Sequence, residues 1–515
     1  MIKSYVDYMN ELTQDELYEG LLAHGLFCEK LPPVFTMEPF FKYCNTLQHS
    51  FSSTPRKYVI FDSMRNINVP RQFGLPTPMA YQKLCKCLSD NWPNLQAHFQ
   101  NTTSNQQYKV SGIHIRKFND KKSLFEMNSN NQRTDDSTKS DLLMVYSNQQ
   151  TNYSPEPDLL IGKRWLVKAD IAIFFPSVYS HSIPWALVGK KCAKANQKSG
   201  WYNEIDRHVR QLKDNETHGL LIGPHTSNLL SEIILARIDK TLVDEGWQYI
   251  RNIDDYSCYV ETYEDGQKFL IRLNALLREY DLLLNHKKTE IMELPIAAVE
   301  QWKRQINLMN SLIISDKMDY KAVRAYLDSA IELLQSNKNN AAILNYTIKV
   351  LKHQSLTESA KEYCTKTIMH LSIIYPYLIP ILDENVFKIF EVTVNQIKDY
   401  TEILYRENLS QQNYEGVYYA IYFAIKYEFE LVELTAQKAI ETNDCILLLF
   451  TFCYFKKKKD SLSVNALEDL KNYAQSIDKL DFGKYWIFLY EILSVDELLD
   501  EWKAMKNKKI TFLSI

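Results

Sequence analysis

Glycine is scarce in this chain, at 13 of 515 residues, against the roughly 7% of an average protein. A Gly-poor sequence rich in Leu, Ile, Lys and Glu leans helical. A basic excess is missing too. The net charge is −3 and the pI about 6.4, which excludes the charge balance of a protein that coats long duplex DNA. A nucleic-acid enzyme of this composition has to gather its Lys and Arg in a groove. The nine cysteines lack metal-ligand spacing; Cys85 and Cys87 form a C-x-C pair with no second pair nearby. They read as buried thiols in a reducing compartment. No window approaches the ~20 apolar residues of a membrane-spanning helix, and the first residues lack the apolar run of a signal peptide. The expectation is a cytoplasmic protein without a membrane partner.

What is present bounds the answer from the other side. Apolar residues make up 45% of the chain, so a large core is available and global disorder is excluded. The length suits two or three domains. The 33 Tyr and 23 Phe serve base stacking and ordinary cores equally well.

The most informative stretch is Trp165 to Tyr179, a buried-strand pattern running into Asp170 and then the pair Phe174-Phe175. A second strand pattern, Tyr249 to Val260, carries Asp254 and Asp255 between Ile253 and Tyr256. Burying adjacent acids is costly unless cations or donors compensate. Two strands delivering carboxylates to one end make a site for hard cations, which take oxygen ligands. Two such ions clamp the attacking and leaving oxygens of a phosphoryl transfer. Asp170, Asp254 and Asp255 are therefore the expected metal ligands and catalytic acids, with Mg2+ as the cofactor and Mn2+ as a substitute.

Around them the chain reads in order. Residues 9 to 30 have amphipathic-helix spacing, ended by Pro32-Pro33, with Tyr5 and Tyr8 on a leader ahead of it. Residues 58 to 81 form an extended, Pro-punctuated segment with Arg65 and Arg71. These two either grip triphosphate oxygens bidentately or are solvated surface charges. A helix from Gln82 to Asn91 follows. Residues 128 to 140 are polar and aperiodic, a loop or disordered insertion. Further helices are expected over Glu204 to Lys213, over Asn228 to Asp239 with Ser227 as N-cap, and over Glu264 to Tyr280. Leu282 to Ile291 reads as a strand carrying Lys287 and Lys288. One of these lysines, with Lys288 preferred, is a candidate to stabilise or protonate departing pyrophosphate. Gly219 and Gly223 allow backbone to approach a base or sugar closely. Phe175 either packs in the core or lies below the incoming ribose, where its bulk excludes a 2′-hydroxyl. The order strand–helix–strand–strand–helix–strand predicts a small antiparallel or mixed sheet with helices on one face. Beyond Ala297 only helical spacing recurs, without a clean repeat period. The Lys456 to Lys459 run reads as a solvated helix end.

Taken together, Asp170-x-x-x-Phe-Phe, the Gly219 to Glu232 stretch, Ile253-Asp-Asp-Tyr256 and Leu284-Asn-x-x-Lys288-Thr-Glu-Ile291 resemble the palm motifs of reverse transcriptases. In more detail the chain is similar to the abortive-infection polymerases of bacterial anti-phage defence, of the prophage-encoded type. Ser180 to Trp185, Gly189 to Asn196, Glu216 to Gly219, Arg71 to Pro78 and Leu31 to Phe35 carry that likeness, which spans about residues 15 to 295. It implies an α+β fold: a fingers-like region over 1–157, a palm over 158–296, and an all-α helical-repeat (HEAT-like) domain over 297–515. It implies a template-independent DNA polymerase that uses dNTPs and primes on its own tyrosine. The single-stranded DNA product stays covalently attached, and the chains assemble as a homo-oligomer. The resemblance assigns metal to Asp170 and Asp254 with Asp255 completing the set, the sugar gate to Phe175, and triphosphate contacts to Arg65, Arg71 and the Gly223 loop. Tyr8 is the first choice for the priming residue, ahead of Tyr5 and Tyr18, because a primer must reach an α-phosphate from a movable segment.

Two departures bear on templating. Leu221-Ile222-Gly223 stands where templated enzymes have Pro-Gln-Gly, and Asn252 stands where an aromatic precedes the first Asp of the pair. A templated enzyme copying RNA and a catalytically inert polymerase-fold scaffold are the rival readings.

Overall fold

The structure is a computed structural model describing residues 5–28, 30–47, 50–65, 69–104, 114–117, 142–145, 156–196, 199–297, 299–311, 317–458 and 461–514. The 128–140 insertion lies outside the described residues. Its centre is an antiparallel four-stranded sheet, and two short hairpins precede it. Strands β1 (Val59–Met64) and β2 (Pro70–Leu75) form the first hairpin; β3 (His114–Lys117) and β4 (Leu142–Val145) form the second. The central sheet holds β5 (Trp165–Asp170), β6 (Tyr249–Asn252), β7 (Asp255–Val260) and β8 (Glu290–Glu293) in the order β6-β7-β5-β8. The chain order of strands and helices matches the expected one. All sheet pairings are antiparallel.

The pleat separates two faces. Val167, Ala169, Tyr256 and Cys258 belong to the main core, against which the Tyr263–Glu279 helix also packs through Phe269 and Leu273. Leu166 and Tyr259 point the other way and close a small cluster with Leu159. Lys168 and Asp170 continue that second face along β5, and Asp255 lies opposite Asp170 on β7.

Several boundaries differ from the sequence reading. The N-terminal helix is two helices, Tyr5–Asn10 and Gln14–His24, because Thr13 forms a capping box with Glu16 and restarts the chain there. The leader carrying Tyr5 and Tyr8 is thus a helix of its own; the side chains of both tyrosines are outside the described residues. The 58–81 segment folds back as the β1–β2 hairpin, and its helix starts at Pro78 and ends at Asp90. Pro suits a first helical turn, where its missing N–H has no helical partner to lose. The central apolar helix runs His225–Asp244 with Pro224 at its N-cap, so Ser227 is a buried residue of the first turn and not the cap. The Leu282–Ile291 strand is reduced to a bridge between Leu284 and Ile171, a turn, and β8.

After β8 the regular elements of the described chain are all helices, the last being Asp500–Asn507. These helices do not stand apart from the sheet. One buried cluster runs from Met9 through Val59, Val167 and Val417 to Trp486 and Phe512. Trp486 Nε1 donates to the Leu75 carbonyl at 3.2 Å, and Lys57 pairs with Asp481 at 2.8 Å. Lys457 and Lys458 of the basic run are paired with Glu428 and Glu430. All nine cysteines are free thiols, six of them buried, Cys85 and Cys87 included. Among the described residues no helix is long and apolar enough to cross a membrane.

Candidate active site

In an antiparallel pair, residues directly opposite share a face, with Cβ atoms about 4.5–5.5 Å apart. Asp170 ends β5 and sits opposite Asp255, the first residue of β7. The register therefore brings two of the three expected acids side by side. Asp254 occupies the two-residue turn between β6 and β7, with Ile253, and its carbonyl accepts the Ile171 N–H at 3.1 Å. That bond extends the β5 end past the acid and ties the turn to it.

Asp170 is 4% exposed. Its carboxylate accepts from Lys288 Nζ at 2.9 Å and from Asn285 Nδ2 at 2.8 Å. Both donors come from the turn before β8. Asn285 shapes that turn: its N–H donates to the Asp170 carbonyl at 2.7 Å and its Oδ1 accepts the Lys287 N–H at 3.2 Å. Both lysines of the turn are exposed, and Lys288 is the one that reaches Asp170.

The electrostatics show how crowded the acids are. Burial, a hydrogen bond with Asp170 and the nearby Asp254 and Asp170 charges push the Asp255 carboxyl up to about 6. Burial is the main cause of a raised Asp254; Asp170 adds to it, while Lys288 and Arg71 oppose it. Lys288 is raised, chiefly by its bond to Asp170. Three carboxylates, Lys288 and Arg71 thus act on one another across a single end of the sheet. Among the described residues no group of three or more His, Cys, Asp or Glu side chains is arranged to hold a metal ion. A pair of carboxylates with an open side still fits Mg2+, which is often held by one or two carboxylates and takes its remaining oxygens from water and phosphates.

The neighbouring candidates frame this end. Phe174 is 3% exposed and belongs to the core; Phe175 is only half-buried, its ring 5.3 Å from that of Phe174. Phe175's carbonyl accepts the Leu220 N–H at 2.8 Å, which lays the Gly219–Gly223 loop alongside it. Gly223 has φ 126°, a backbone conformation that favours glycine. The same loop docks on β2: Gly74 N–H donates to the Ile222 carbonyl at 3.0 Å. A Cβ at Gly74 would come within 2.7 Å of Leu221 Cδ2, so a larger residue there would have to displace the Leu221 side chain. Arg71, on β2, lies within electrostatic reach of Asp254. Arg65, just past β1, is exposed. Tyr18 accepts from Gln82 Nε2 at 2.9 Å and is half-buried against Phe41, with its hydroxyl pKa raised by burial.

Sequence reasoning missed a group behind the turn. Arg251, on β6, is 0% exposed. Its guanidinium donates to both carboxylate oxygens of Glu232 and both of Asp239, and Nη1 also donates to the Ile253 carbonyl at 3.0 Å. Tyr249 OH donates to Asp239 at 2.8 Å. Ile253 has φ 55°, in a hairpin position that favours glycine; a β-branched residue there costs about 1–3 kcal/mol and persists only where surroundings enforce it. Arg251 is that enforcement. The signal was available in Glu232 and Asp239, which lie two turns apart on one face of a helix rich in buried Leu and Ile, and in an Arg inside the strand leading to the Asp pair.

Residues 82–309 match the family model described as "Reverse transcriptase (RNA-dependent DNA polymerase)". A reverse-transcriptase domain is present, and the matched segment contains Asp170, Phe175, Gly223, Asp254, Asp255 and Lys288. Arg65 and Arg71 precede it. Among solved structures the chain is similar to apo telomerase from Candida Tropicalis, at 11% identity over 79% of this chain and 72% of that one, with a TM-score of 0.32. It is similar to the same enzyme truncated from its C-terminal domain, at 12% identity over 50% and 54%, TM-score 0.26. Telomerase from Candida albicans in complex with a TWJ fragment of telomeric RNA follows at 10% identity over 90% and 70%, TM-score 0.27. Curated proteins give no match.

Proposed function

From a reverse-transcriptase domain at residues 82–309, we propose that this chain is a DNA polymerase joining dNTPs at the β5–β7 end of its sheet. The observation that carries the reading is the pairing of Asp170 with Asp255 across one rung of the sheet, beside Asp254 in the turn. Asp170, Asp254 and Asp255 would hold divalent cations. When bound, such ions neutralise phosphate charge and activate the attacking oxygen. The chain's own residues do the rest. Lys288 balances the Asp170 charge and would donate a proton to departing pyrophosphate. Arg71 and Arg65 bring planar cationic forks to the triphosphate. Phe175 excludes a 2′-hydroxyl by volume, and the Gly223 loop lets backbone lie against the nucleotide.

The finer reading is synthesis without a template, primed on a tyrosine of the chain, in abortive-infection defence against phage. It is supported by the motif resemblance and by the aliphatic Leu221-Ile222 pair, which offers no side-chain hydrogen bond for positioning a templated nucleotide. The product would be single-stranded DNA covalently attached to an oligomer of this protein. Incubating the purified protein with dNTPs and Mg2+ tests it: the expected result is DNA that migrates with the protein after denaturation and is released by protease. Product of fixed sequence that requires added RNA would establish the templated rival instead. Peptide mass spectrometry of that adduct tests Tyr8; nucleotide found only on another residue refutes the choice.

A further inference from the structure

Glu415 lies 106 residues beyond the end of the reverse-transcriptase match at 309. It opens the Tyr414–Tyr427 helix and is 2% exposed. A buried carboxylate is costly unless donors satisfy it. Its donors come from β1: Ser63 Oγ at 2.7 Å and the Met64 N–H at 2.6 Å. Met64 stands opposite Pro70, and Ser63 stands opposite Arg71. Directly paired residues share a face, so the Ser63 bond fixes the rung from which Arg71 projects. Arg65 follows Met64 immediately. We infer that Glu415 is a positioning residue for nucleotide binding, holding the tip-side end of the β1–β2 hairpin so that Arg71 and Arg65 meet the triphosphate of an incoming dNTP.

Three further observations make this more than a packing contact. The base of the hairpin is held separately, by Trp486 on the Leu75 carbonyl and by Asp481 on Lys57. Glu415 therefore acts at the arginine end alone. Burial pushes its carboxyl up to about 7, with Lys30 opposing and Asp62 adding to the shift, so the helix carries a costly group where an aliphatic one would pack without penalty. Arg71 already lies in the field of Asp254, which puts the held rung next to the acids.

The inference rests on the proposed reading of Arg65 and Arg71, and the experiment separates the two. Steady-state dNTP incorporation with Mg2+ is measured for the full-length wild type, Glu415→Ala, Glu415→Gln and Ser63→Ala. Removing the acceptor strands the buried donors, and the expected result for Glu415→Ala is a KM for dNTP raised about tenfold with kcat within about twofold. Glu415→Gln keeps an oxygen for the Met64 N–H and should recover most of that loss. Ser63→Ala leaves the helix untouched and should raise KM by about threefold. Thermal unfolding of each variant separates a loss of fold from a loss of binding. Wild-type KM in Glu415→Ala and Ser63→Ala overturns the inference, as does a fall in kcat with KM unchanged. A wild type that incorporates no dNTP under any metal overturns the polymerase reading and this inference with it.

Discussion

Replacing Arg251 by Met should do more damage than any single change at the surface of the site. The guanidinium pairs with two acids whose side chains are each 1% exposed, Glu232 and Asp239. Breaking a buried ion pair by removing one partner costs about 3–5 kcal/mol, because the survivor is left charged and unsolvated. One arginine here serves two acids, which puts Arg251→Met at the upper end, a large fraction of the roughly 5–15 kcal/mol that holds a folded domain together. The deficit has a pH signature. Without the arginine the Asp239 carboxyl, which burial already raises, moves further above its unfolded value, so its penalty is absent below about pH 4 and grows as pH rises. Urea unfolding followed by far-UV circular dichroism at pH 5 and pH 8 should show the larger loss at pH 8. A triple variant, Arg251→Met with Glu232→Met and Asp239→Asn, removes both stranded charges and keeps an acceptor for Tyr249; it should regain more than half of the stability. Nucleotide incorporation should stay lost in both, because the Ile253 carbonyl no longer has its tether. A loss under about 1 kcal/mol for Arg251→Met, or a triple variant no more stable than the single one, would refute this account of the network.

Asp255→Asn should raise the melting temperature of the metal-free protein at pH 7.5 and leave it unchanged at pH 4. The native pKa, about 6, lies above the ordinary 3.8, so ionising Asp255 costs stability that is intact at low pH and lost between those values; thermal scans in EDTA check it, and added Mg2+ should stabilise the wild type more than the variant. Lys288→Met should lower kcat by about 10²-fold or more with little change in KM, the mark of a group that acts on the departing pyrophosphate. Phe175→Ala should cut the preference for dNTP over NTP by about 10–10²-fold in competition assays. Phe174→Ala, a change in the core, should instead cost about 3–5 kcal/mol and leave sugar selection alone.

The parts of the site that were legible in the sequence are those with local causes. The strand at Trp165–Asp170 is a short apolar run ending in an acid, and the rung between Asp170 and Asp255 follows once the second such run is recognised. Lys288 rather than Lys287 bonds Asp170, for a reason the sequence did not reveal: the three leucines from Leu282 mimic a strand, and Asn285 bends the chain into a turn that brings Lys288 to the acid. The β1–β2 hairpin was hidden because its ladder, Val59 with Leu75 through Met64 with Pro70, is a pairing between segments that each read as extended and Pro-broken. The helix start at His225 was misplaced by a serine that resembles a cap but packs inside. Glu415 had no local signal at all. Its partners are 351 and 352 residues away, and nothing in its own neighbourhood marks it as different from a solvated acid at a helix start.

The unbroken apolar interior that joins Met9 to Phe512 also limits how the molecule can be taken apart. A fragment trimmed to residues 82–309 would retain every acid of the site but forfeit the hairpin and the helices packed against it. It would be left with uncovered leucines and valines, a recipe for aggregates rather than for a minimal enzyme. Chimaeras with related polymerases face the same restriction: the hairpin and the late helices form a matched set, and exchanging one means exchanging both.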